Sequence, residues 1–244
     1  MVKTVIVTGS SSGIGRDVAR AFVERGDNVV LNGRDEDKLA EVAAGLGAPD
    51  QVAAVAGDIG IPATGVALVR AAVERFGGVD VLVNNAGIFG AKPFVDVTEQ
   101  DLDSYLNGNL KGTYFTTQAV VRLLREQARG GSIVNLGTVL IDHAIAGVPA
   151  SAALVSKGGI HALTTSLAAE LAADGIRVNA VAPGFIRTPL FGDGDEAATG
   201  RFALLNRIGE VAETTAAVLY LVDAAFTTGH IFPVDGGYLS GRAA

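Results

Sequence analysis

The sequence predicts an α/β fold, in which a doubly wound, seven-stranded parallel sheet carries helices on both faces. Three observations predict it. Short β-branched segments alternate with helical stretches, the helical stretches repeat apolar residues at helical spacing, and 32 of the 244 residues are glycine. Consecutive parallel strands need a crossover connection, and right-handed crossovers place the connecting helices on the faces of the sheet.

Seven segments have the character of strands. In chain order they are Thr4–Thr8, Asn28–Leu31, Val52–Ala56, Val79–Val83, Ser132–Leu136, Arg177–Val181 and His230–Val234. Between them, apolar residues recur at helical spacing, as in Val18, Phe22 and Val23, or in Val66, Val69, Val73 and Phe76. These repeats predict the helix faces that pack on the sheet.

The chain shows no internal division. No linker, charge block or repeat interrupts it, and we therefore expect one domain over residues 1–244. One long irregular segment, Gly184 to Asn206, follows the sixth strand. Ligands of such folds bind at the carboxyl ends of the strands, and so we interpret this segment, about 184–206, as a substrate lid.

Composition excludes several classes of protein. The chain carries 19 Lys and Arg against 26 Asp and Glu, a net charge of −7, which speaks against binding nucleic acid. It has no Cys, and its three His are scattered, so we expect neither disulfides nor a metal site. Without a secretion signal or a membrane-spanning apolar stretch, the sequence predicts a cytoplasmic protein that does not bind membranes.

A glycine-rich turn connects the first strand to the first helix. It reads Thr8-Gly9-Ser10-Ser11-Ser12-Gly13-Ile14-Gly15. Glycines there allow backbone N–H groups to approach a pyrophosphate at the positive end of the helix dipole. The spacing differs from the common Gly-x-Gly-x-x-Gly fingerprint, and a tight strand-to-helix connection is the alternative interpretation.

Further motifs follow in a fixed order. They are Gly57-Asp58-Ile59, Asn84-Asn85-Ala86-Gly87, Asn109, Lys157, Pro183-Gly184 with Thr188, and Asp235-Gly236-Gly237. With the glycine turn, this set resembles the short-chain dehydrogenase/reductase family over essentially the whole chain. The resemblance implies a Rossmann fold and a nicotinamide dinucleotide cofactor.

The resemblance also assigns expected roles. The diphosphate would lie on the turn, at Gly9, Ser11, Ser12, Gly13, Ile14 and Gly15. Asp58 and Ile59 would contact adenine, and Asn85, Ala86 and Gly87 would line the adenosine. The nicotinamide carboxamide would be bordered by Pro183, Gly184, Ile186 and Thr188, and the nicotinamide ribose would be held by Lys157.

The end of the second strand favours NADP(H). NAD enzymes usually place an acid there, whereas a cation accommodates the 2′-phosphate. Here the strand ends Asn32-Gly33-Arg34, with Gly33 at the acid's position and Arg34 able to bind phosphate. NAD(H) stays possible, because Asp35 could reach a ribose, and Arg34 could also be a solvated residue before a helix.

The family's catalytic tyrosine is absent. Members use a Tyr-x-x-x-Lys pair with a Ser and an Asn, because residues four apart share one helix face and the ammonium lowers the phenol pKa. Four residues before Lys157 stands Ala153, and the four tyrosines lie elsewhere in the sequence. Thr138 takes the place of the Ser, and Asn109 matches the Asn, which would anchor a water. The catalytic set is therefore Asn109, Thr138 and Lys157.

Four alternatives remain open for the missing proton donor. Ordered water could fill the space of the phenol ring, or His143 in the lengthened loop after Thr138 could act as the acid. Ser151 could also act, although its position at the start of a helix predicts a capping role. The fourth alternative is that no competent donor exists. We interpret His161 and His230 as interface or surface residues.

The sequence therefore predicts an NADP(H)-dependent oxidoreductase for a small carbonyl or alcohol substrate. The alternative is a pseudoenzyme that binds NADP(H) as a sensor or scaffold. The family resemblance implies a homodimer or homotetramer built on the helix after Asn109 and the helix of Lys157, whose interior Gly158 and Gly159 predict close packing. An apolar pocket or lid packing could use Phe89, Phe94, Phe185, Phe191 and Phe202.

Overall fold

The computed structural model describes residues 2–241. Seven strands form one parallel sheet in the order β3-β2-β1-β4-β5-β6-β7, which confirms the predicted fold. The strands are β1 (Thr4–Val7), β2 (Asn28–Gly33), β3 (Val52–Ala56), β4 (Val81–Asn84), β5 (Gly131–Leu136), β6 (Ile176–Pro183) and β7 (Ile231–Val234). The strand order reverses between β1 and β4, where this class of fold binds its ligand.

Helices cover both faces of the sheet. They are α1 (Gly13–Glu24), α2 (Glu36–Gly45), α3 (Pro62–Phe76), α4 (Glu99–Tyr105), α5 (Gly112–Gln127), α6 (Ser151–Glu170), α7 (Glu196–Gly200) and α8 (Val211–Asp223). One hydrophobic core joins α1, α2 and α8 to the sheet, and a second joins α3, α5 and α6 to its other face. No helix within residues 2–241 combines the length and apolarity needed to cross a bilayer.

The two predicted apolar faces have different outcomes. On α1, Val18 and Phe22 are buried against the sheet, as predicted. On α3 the prediction is confirmed only in part: Val69 and Phe76 pack against the core, but Val66 and Val73 are exposed. The helix buries small residues around Leu68 instead. The reason is its close approach to α5, where a Cβ at Gly65 would lie 3.0 Å from the Cα of Thr116.

A buried polar network fixes the ends of β4 and β5 just before the loops that form the site. Asn84 Nδ2 donates to Thr117 Oγ1 at 2.8 Å and to Asn135 Oδ1 at 2.9 Å. Asn135 Nδ2 donates in turn to Thr164 Oγ1 at 2.9 Å. The network therefore ties two central strands to α5 and α6 at fixed positions, because each buried amide needs its partners.

The segment from Gly184 to Asn206 is not wholly irregular. It contains the single turn α7, whose start is capped by Asp195, because its carboxylate accepts a hydrogen bond from the Ala198 N–H at 2.9 Å. The segment runs from the end of β6 along the carboxyl edge of the sheet, and its first residues line the cleft described next.

Candidate active site

A cleft of about 1130 Å³ lies at the carboxyl ends of the strands. The loops that follow the first six strands form its walls, and it spans the reversal point between β1 and β4. Nearly all the residues that the sequence assigned to a dinucleotide line this cleft. The exception is Gly15, which lies beneath the turn; of the predicted catalytic residues, Asn109 lies behind the wall.

The glycine turn packs backbone to backbone against the loop after β4. Gly9 has a φ of +64°, and a Cβ there would lie 2.7 Å from the Cα of Ala86. A Cβ at Gly15 would lie 2.4 Å from the backbone oxygen of Gly9. Thr8 Oγ1 accepts the N–H groups of Asn85 and Ala86, each at 3.0 Å. The turn therefore requires glycine at both positions, and its shape is fixed by hydrogen bonds.

The start of α1 suits an anion. Its N-cap residue, Ser12, makes no capping hydrogen bond with its side chain, and the first turn contains no acidic residue. The amide groups of this turn and the positive end of the helix dipole adjoin a cleft wall formed by Gly9, Ser11, Ser12, Gly13 and Ile14. The residues present therefore fit a diphosphate.

The wall after β2 and β3 contains one cation and one acid. Arg34 is exposed and lines the cleft. Asp58 and Ile59 also line it. Asp35 does not line it. Its carboxylate accepts the Lys38 N–H at 3.1 Å and caps α2, and this bond lowers its pKa. The acid that kept NAD(H) possible is thus engaged in capping a helix.

Lys157 is buried on α6 and reaches the opposite end of the cleft. Its Nζ donates to the backbone oxygen of Leu136 at 2.6 Å, and burial lowers its pKa to about 8. A Cβ at Gly87 would lie 3.3 Å from this nitrogen, so the glycine leaves room for the ammonium group. Among the described residues, no carboxylate forms an ion pair with Lys157, and it is therefore free to interact with a ligand.

Asn109 holds the wall from behind. It lies in a π-helical turn, Leu106–Lys111, and is fully buried. Its Oδ1 accepts the Ile88 N–H at 2.7 Å, and its Nδ2 donates to Ile88 O at 3.0 Å and to Ser156 Oγ at 2.8 Å. Ser156 donates to Ala153 O at 2.7 Å. Sequence reasoning missed Ser156, whose one signal is that it directly precedes Lys157.

Thr138 lines the cleft beside Lys157. Its Oγ1 accepts the Leu140 N–H at 3.3 Å, which leaves the hydroxyl hydrogen for a ligand oxygen. Its own backbone N–H donates to Nε2 of His161 at 3.4 Å. The His161 ring is thus half-buried beside the loop of Thr138, next to the site, a contact that its interpretation as a surface or interface residue did not predict. The signal was its position one helical turn after Lys157.

No tyrosine lines the cleft, although all four tyrosines lie within residues 2–241. Ala153 is 0% exposed and does not reach the cleft. His143 and Ser151 are also absent from its walls. The His143 ring packs at 5.4 Å from the Tyr238 ring, and its backbone oxygen accepts the Tyr238 hydroxyl at 2.5 Å.

Two further expectations concern the start of α6 and the five phenylalanines named above. The expected capping role of Ser151 is wrong, because Ala150 is the N-cap of α6 and no side chain caps this helix. Of the five phenylalanines, Phe89, Phe185 and Phe191 line the cleft, whereas Phe94 is exposed and Phe202 packs behind Phe185. Within residues 2–241, no three His, Asp or Glu side chains come together as metal ligands.

A family model described as Enoyl-(Acyl carrier protein) reductase matches residues 9–239. With the fold and the cleft, this match and those below show that the chain belongs to the short-chain dehydrogenase/reductase family and is an oxidoreductase. L-rhamnose 1-dehydrogenase (NAD(P)(+)) of Azotobacter vinelandii is 39% identical, and the match covers 96% of each protein. The 3-oxoacyl-(acyl-carrier-protein) reductase FabG of Thermotoga maritima is 36% identical, over 96% of this chain and 97% of the relative.

A solved structure has the same fold. The crystal structure of a short-chain type dehydrogenase/reductase from Mycobacterium marinum matches with a TM-score of 0.92 and 32% identity. The match covers 98% of this chain and 96% of that chain. The likeness extends over both halves of the sheet and the segment after β6.

Proposed function

We propose that this chain is an NADP(H)-dependent oxidoreductase that interconverts a carbonyl compound and its alcohol. The observation that carries the proposal is that one continuous cleft is lined by the glycine turn before α1, by Arg34 and by Lys157. The diphosphate, the adenosine 2′-phosphate and the nicotinamide ribose of NADP(H) would each find a partner there. Asp58, Ile59 and Asn85–Gly87 would border the adenosine, and Pro183, Gly184, Ile186 and Thr188 the carboxamide.

When bound in its reduced form, the nicotinamide supplies a hydride to the carbonyl carbon. The chain's own groups act on the carbonyl oxygen, which gains negative charge as the C=O π bond breaks. Thr138 donates its free hydroxyl hydrogen to this oxygen, and the cation of Lys157 stabilises the charge. The oxygen then takes a proton from water, because no phenol lines the cleft. The product is an alcohol, and the reverse reaction oxidises it.

One observation favours a second candidate, a pseudoenzyme that binds NADP(H) without turnover. Ala153 is buried away from the cleft, and none of the four tyrosines lines it. A positioned general acid is typically worth about 10²- to 10⁴-fold in rate, whereas orienting the reactants contributes about 7–11 kcal/mol. Loss of the phenol is thus compatible with a slow enzyme, and turnover decides between the two functions.

Steady-state oxidation of NADPH with a panel of ketones and aldehydes tests the proposal. We expect slow turnover in the wild type, a large loss in Lys157→Ala and in Thr138→Val, and no loss in Lys111→Ala. Lys111 is the matched control, because it is exposed and does not line the cleft. If wild type and Lys157→Ala are equally inert while NADPH still binds, the enzyme proposal is wrong and the pseudoenzyme stands.

We further propose that residues 1–244 form one domain and act in the cytoplasm on a small molecule, with neither nucleic acid nor membrane as partner.

We also propose assembly into a homodimer or homotetramer through α5 and α6. Exposed apolar side chains on these helices, Tyr114 and Val155, support it. So does Gly158, where an added Cβ would meet nothing within 4 Å. Sedimentation equilibrium tests it, and a monomer at micromolar concentration would contradict it.

A further inference from the structure

We propose that the carbonyl substrate is a neutral compound with an aryl or alkyl flank, and not a carboxylate, a phosphate-bearing thioester or a sugar. This inference rests on the proposed function and concerns the end of the cleft beside Thr138. Five apolar side chains form the walls there: Phe89, Leu140, Phe185, Leu190 and Phe191. They come from the loops after β4, β5 and β6, so apolar surface faces the reacting carbonyl from three loops.

The cleft has little charge to offer a substrate. Its charged lining residues are Arg34, Asp58 and Lys157. Arg34 and Asp58 follow β2 and β3, and four strand spacings, or about 19 Å, separate β2 from β6. Neither side chain can therefore serve a ligand beside Phe185. An anionic group at that end would lose its hydration without gaining a cation, which is unfavourable in apolar surroundings.

Lys157 does not supply the missing cation. Its Nζ already donates to Leu136 O at 2.6 Å, and the ammonium is needed at the nicotinamide ribose and the carbonyl oxygen. It is also buried at the base of the wall, on α6, rather than at the rim. A carboxylate on the far side of the substrate would therefore have no charged partner.

The charged groups of the segment over this end of the cleft are also unfavourable to anions. Its nearest cation, Arg187, does not line the cleft and pairs with Glu196 and with Glu210. The acids that follow Phe191 most closely in the chain are the exposed Asp193 and Asp195. The segment's other cation, the exposed Arg201, lies further along the chain and does not line the cleft. A thioester carried on a phosphate-bearing arm would thus approach negative charge. We therefore expect this chain to differ from the family model and the Thermotoga relative, whose names give carrier-linked substrates.

A sugar fits no better. Its ring presents hydroxyl groups on both faces, and a buried hydroxyl without a partner is costly. At this end the polar side chains of the cleft wall include Thr138 and Lys157, which are assigned to the reacting oxygen, and Thr188, which is assigned to the carboxamide. We therefore do not expect L-rhamnose, the substrate in the name of the Azotobacter relative, to be a substrate of this chain.

The apolar wall is also braced from behind. The Phe202 ring packs against the Phe185 ring at 6.0 Å between centroids, and both belong to a cluster with the buried Tyr238. Leu190, at 64% exposure, lies at the rim instead. A packed aromatic wall with an exposed apolar rim suits a flat ring or a branched alkyl chain.

A matched pair of substrates tests the inference. Methyl 4-acetylbenzoate and 4-acetylbenzoate share the reacting ketone and differ in the charge of the para group. We expect kcat/KM at least about 10²-fold higher for the neutral ester in NADPH-dependent reduction. Leu190→Arg supplies the missing cation at the rim and is expected to raise kcat/KM for the carboxylate about tenfold. Leu205→Arg is the control, because Leu205 is 63% exposed but does not line the cleft.

Each outcome either supports or overturns the inference. Equal kcat/KM for the two ketones, or a gain for the carboxylate in Leu205→Arg as large as in Leu190→Arg, would overturn it. If neither ketone is reduced, binding decides the substrate class, while the carbonyl panel and Lys157→Ala test the activity itself. Saturation-transfer NMR with NADP⁺ present would then support the inference if only the ester binds. It would overturn the inference if the acid binds as tightly or if neither compound binds.

Discussion

The imidazole of His161 occupies the space that a side chain at Gly137 would need. A Cβ at Gly137 would lie 2.1 Å from His161 Nε2, and the same nitrogen accepts the backbone N–H of Thr138 at 3.4 Å. Burial lowers the pKa of this imidazole, and nearby Lys157 lowers it too, while Asp142 opposes them. At neutral pH the ring is therefore uncharged and can accept the hydrogen bond that holds Thr138.

Gly137→Ala tests this packing. We expect it to lower the free energy of unfolding by about 1–3 kcal/mol, because the new methyl group collides with the ring. In a His161→Ala background the same substitution should lower the free energy of unfolding much less, because the space of the ring is then open. Chemical denaturation of the four proteins gives the coupling energy. Gly45→Ala, on α2 and away from the proposed interface, serves as the control, because its Cβ would meet nothing within 4 Å. An equal cost of Gly137→Ala in both backgrounds would contradict the packing.

Lys157 is a buried cation, and its presence should cost stability. Burial lowers its pKa from 10.5 to about 8, so the unfolded chain binds the proton more tightly than the folded one. This unfavourable contribution is complete below pH 8 and fades as the pH rises from about 8 to 10.5.

Lys157→Met should therefore stabilise the fold while reducing activity. At pH 7 we expect the free energy of unfolding to rise by roughly 1–3 kcal/mol. This is the free energy gained by removing the buried charge, minus the contribution of the lost hydrogen bond to Leu136 O. The gain should shrink when the urea titration is repeated at increasing pH from 8 to 10.5. Lys111→Met, at an exposed lysine, should show no such trend. A gain of constant size across that pH range would argue against a burial effect.

The sequence allowed the fold to be predicted from periodicity, because seven β-branched segments alternate with helices and each became a strand. The face of α3 could be predicted only in part, because the closeness of this helix to α5 depends on Gly65 meeting another helix. The glycine turn was recognisable because its chemistry is local. The role of His161 was not recognisable, because it depends on a contact with Thr138, which lies 23 residues earlier in the chain and which the fold brings to α6.

Arg34 should set the preference for NADP(H). Arg34→Ala is expected to raise the Kd for NADPH about 10- to 100-fold, because a charge-assisted bond to the 2′-phosphate is lost. The Kd for NADH should change little, since NADH has no such phosphate. Fluorescence titration of both cofactors measures the effect. Arg16→Ala is the control, because Arg16 is exposed on α1 and does not line the cleft. An equal rise in Kd for both cofactors would mean that Arg34 does not bind the 2′-phosphate.

Restoring the phenol with Ala153→Tyr should not restore a fast enzyme. Ala153 is 0% exposed and does not line the cleft, so a tyrosine would have to displace packed neighbours. Overpacking of this kind costs about 1–3 kcal/mol, which lowers Tm by a few degrees in a chain of this size. Ala40→Tyr, at an exposed alanine on α2 and away from the proposed interface, should leave Tm nearly unchanged. Calorimetry and NADPH oxidation measure the two effects. A rise in turnover of about 10²-fold or more would show that the phenol reaches the reacting oxygen, and that the wall over Ala153 yields to it.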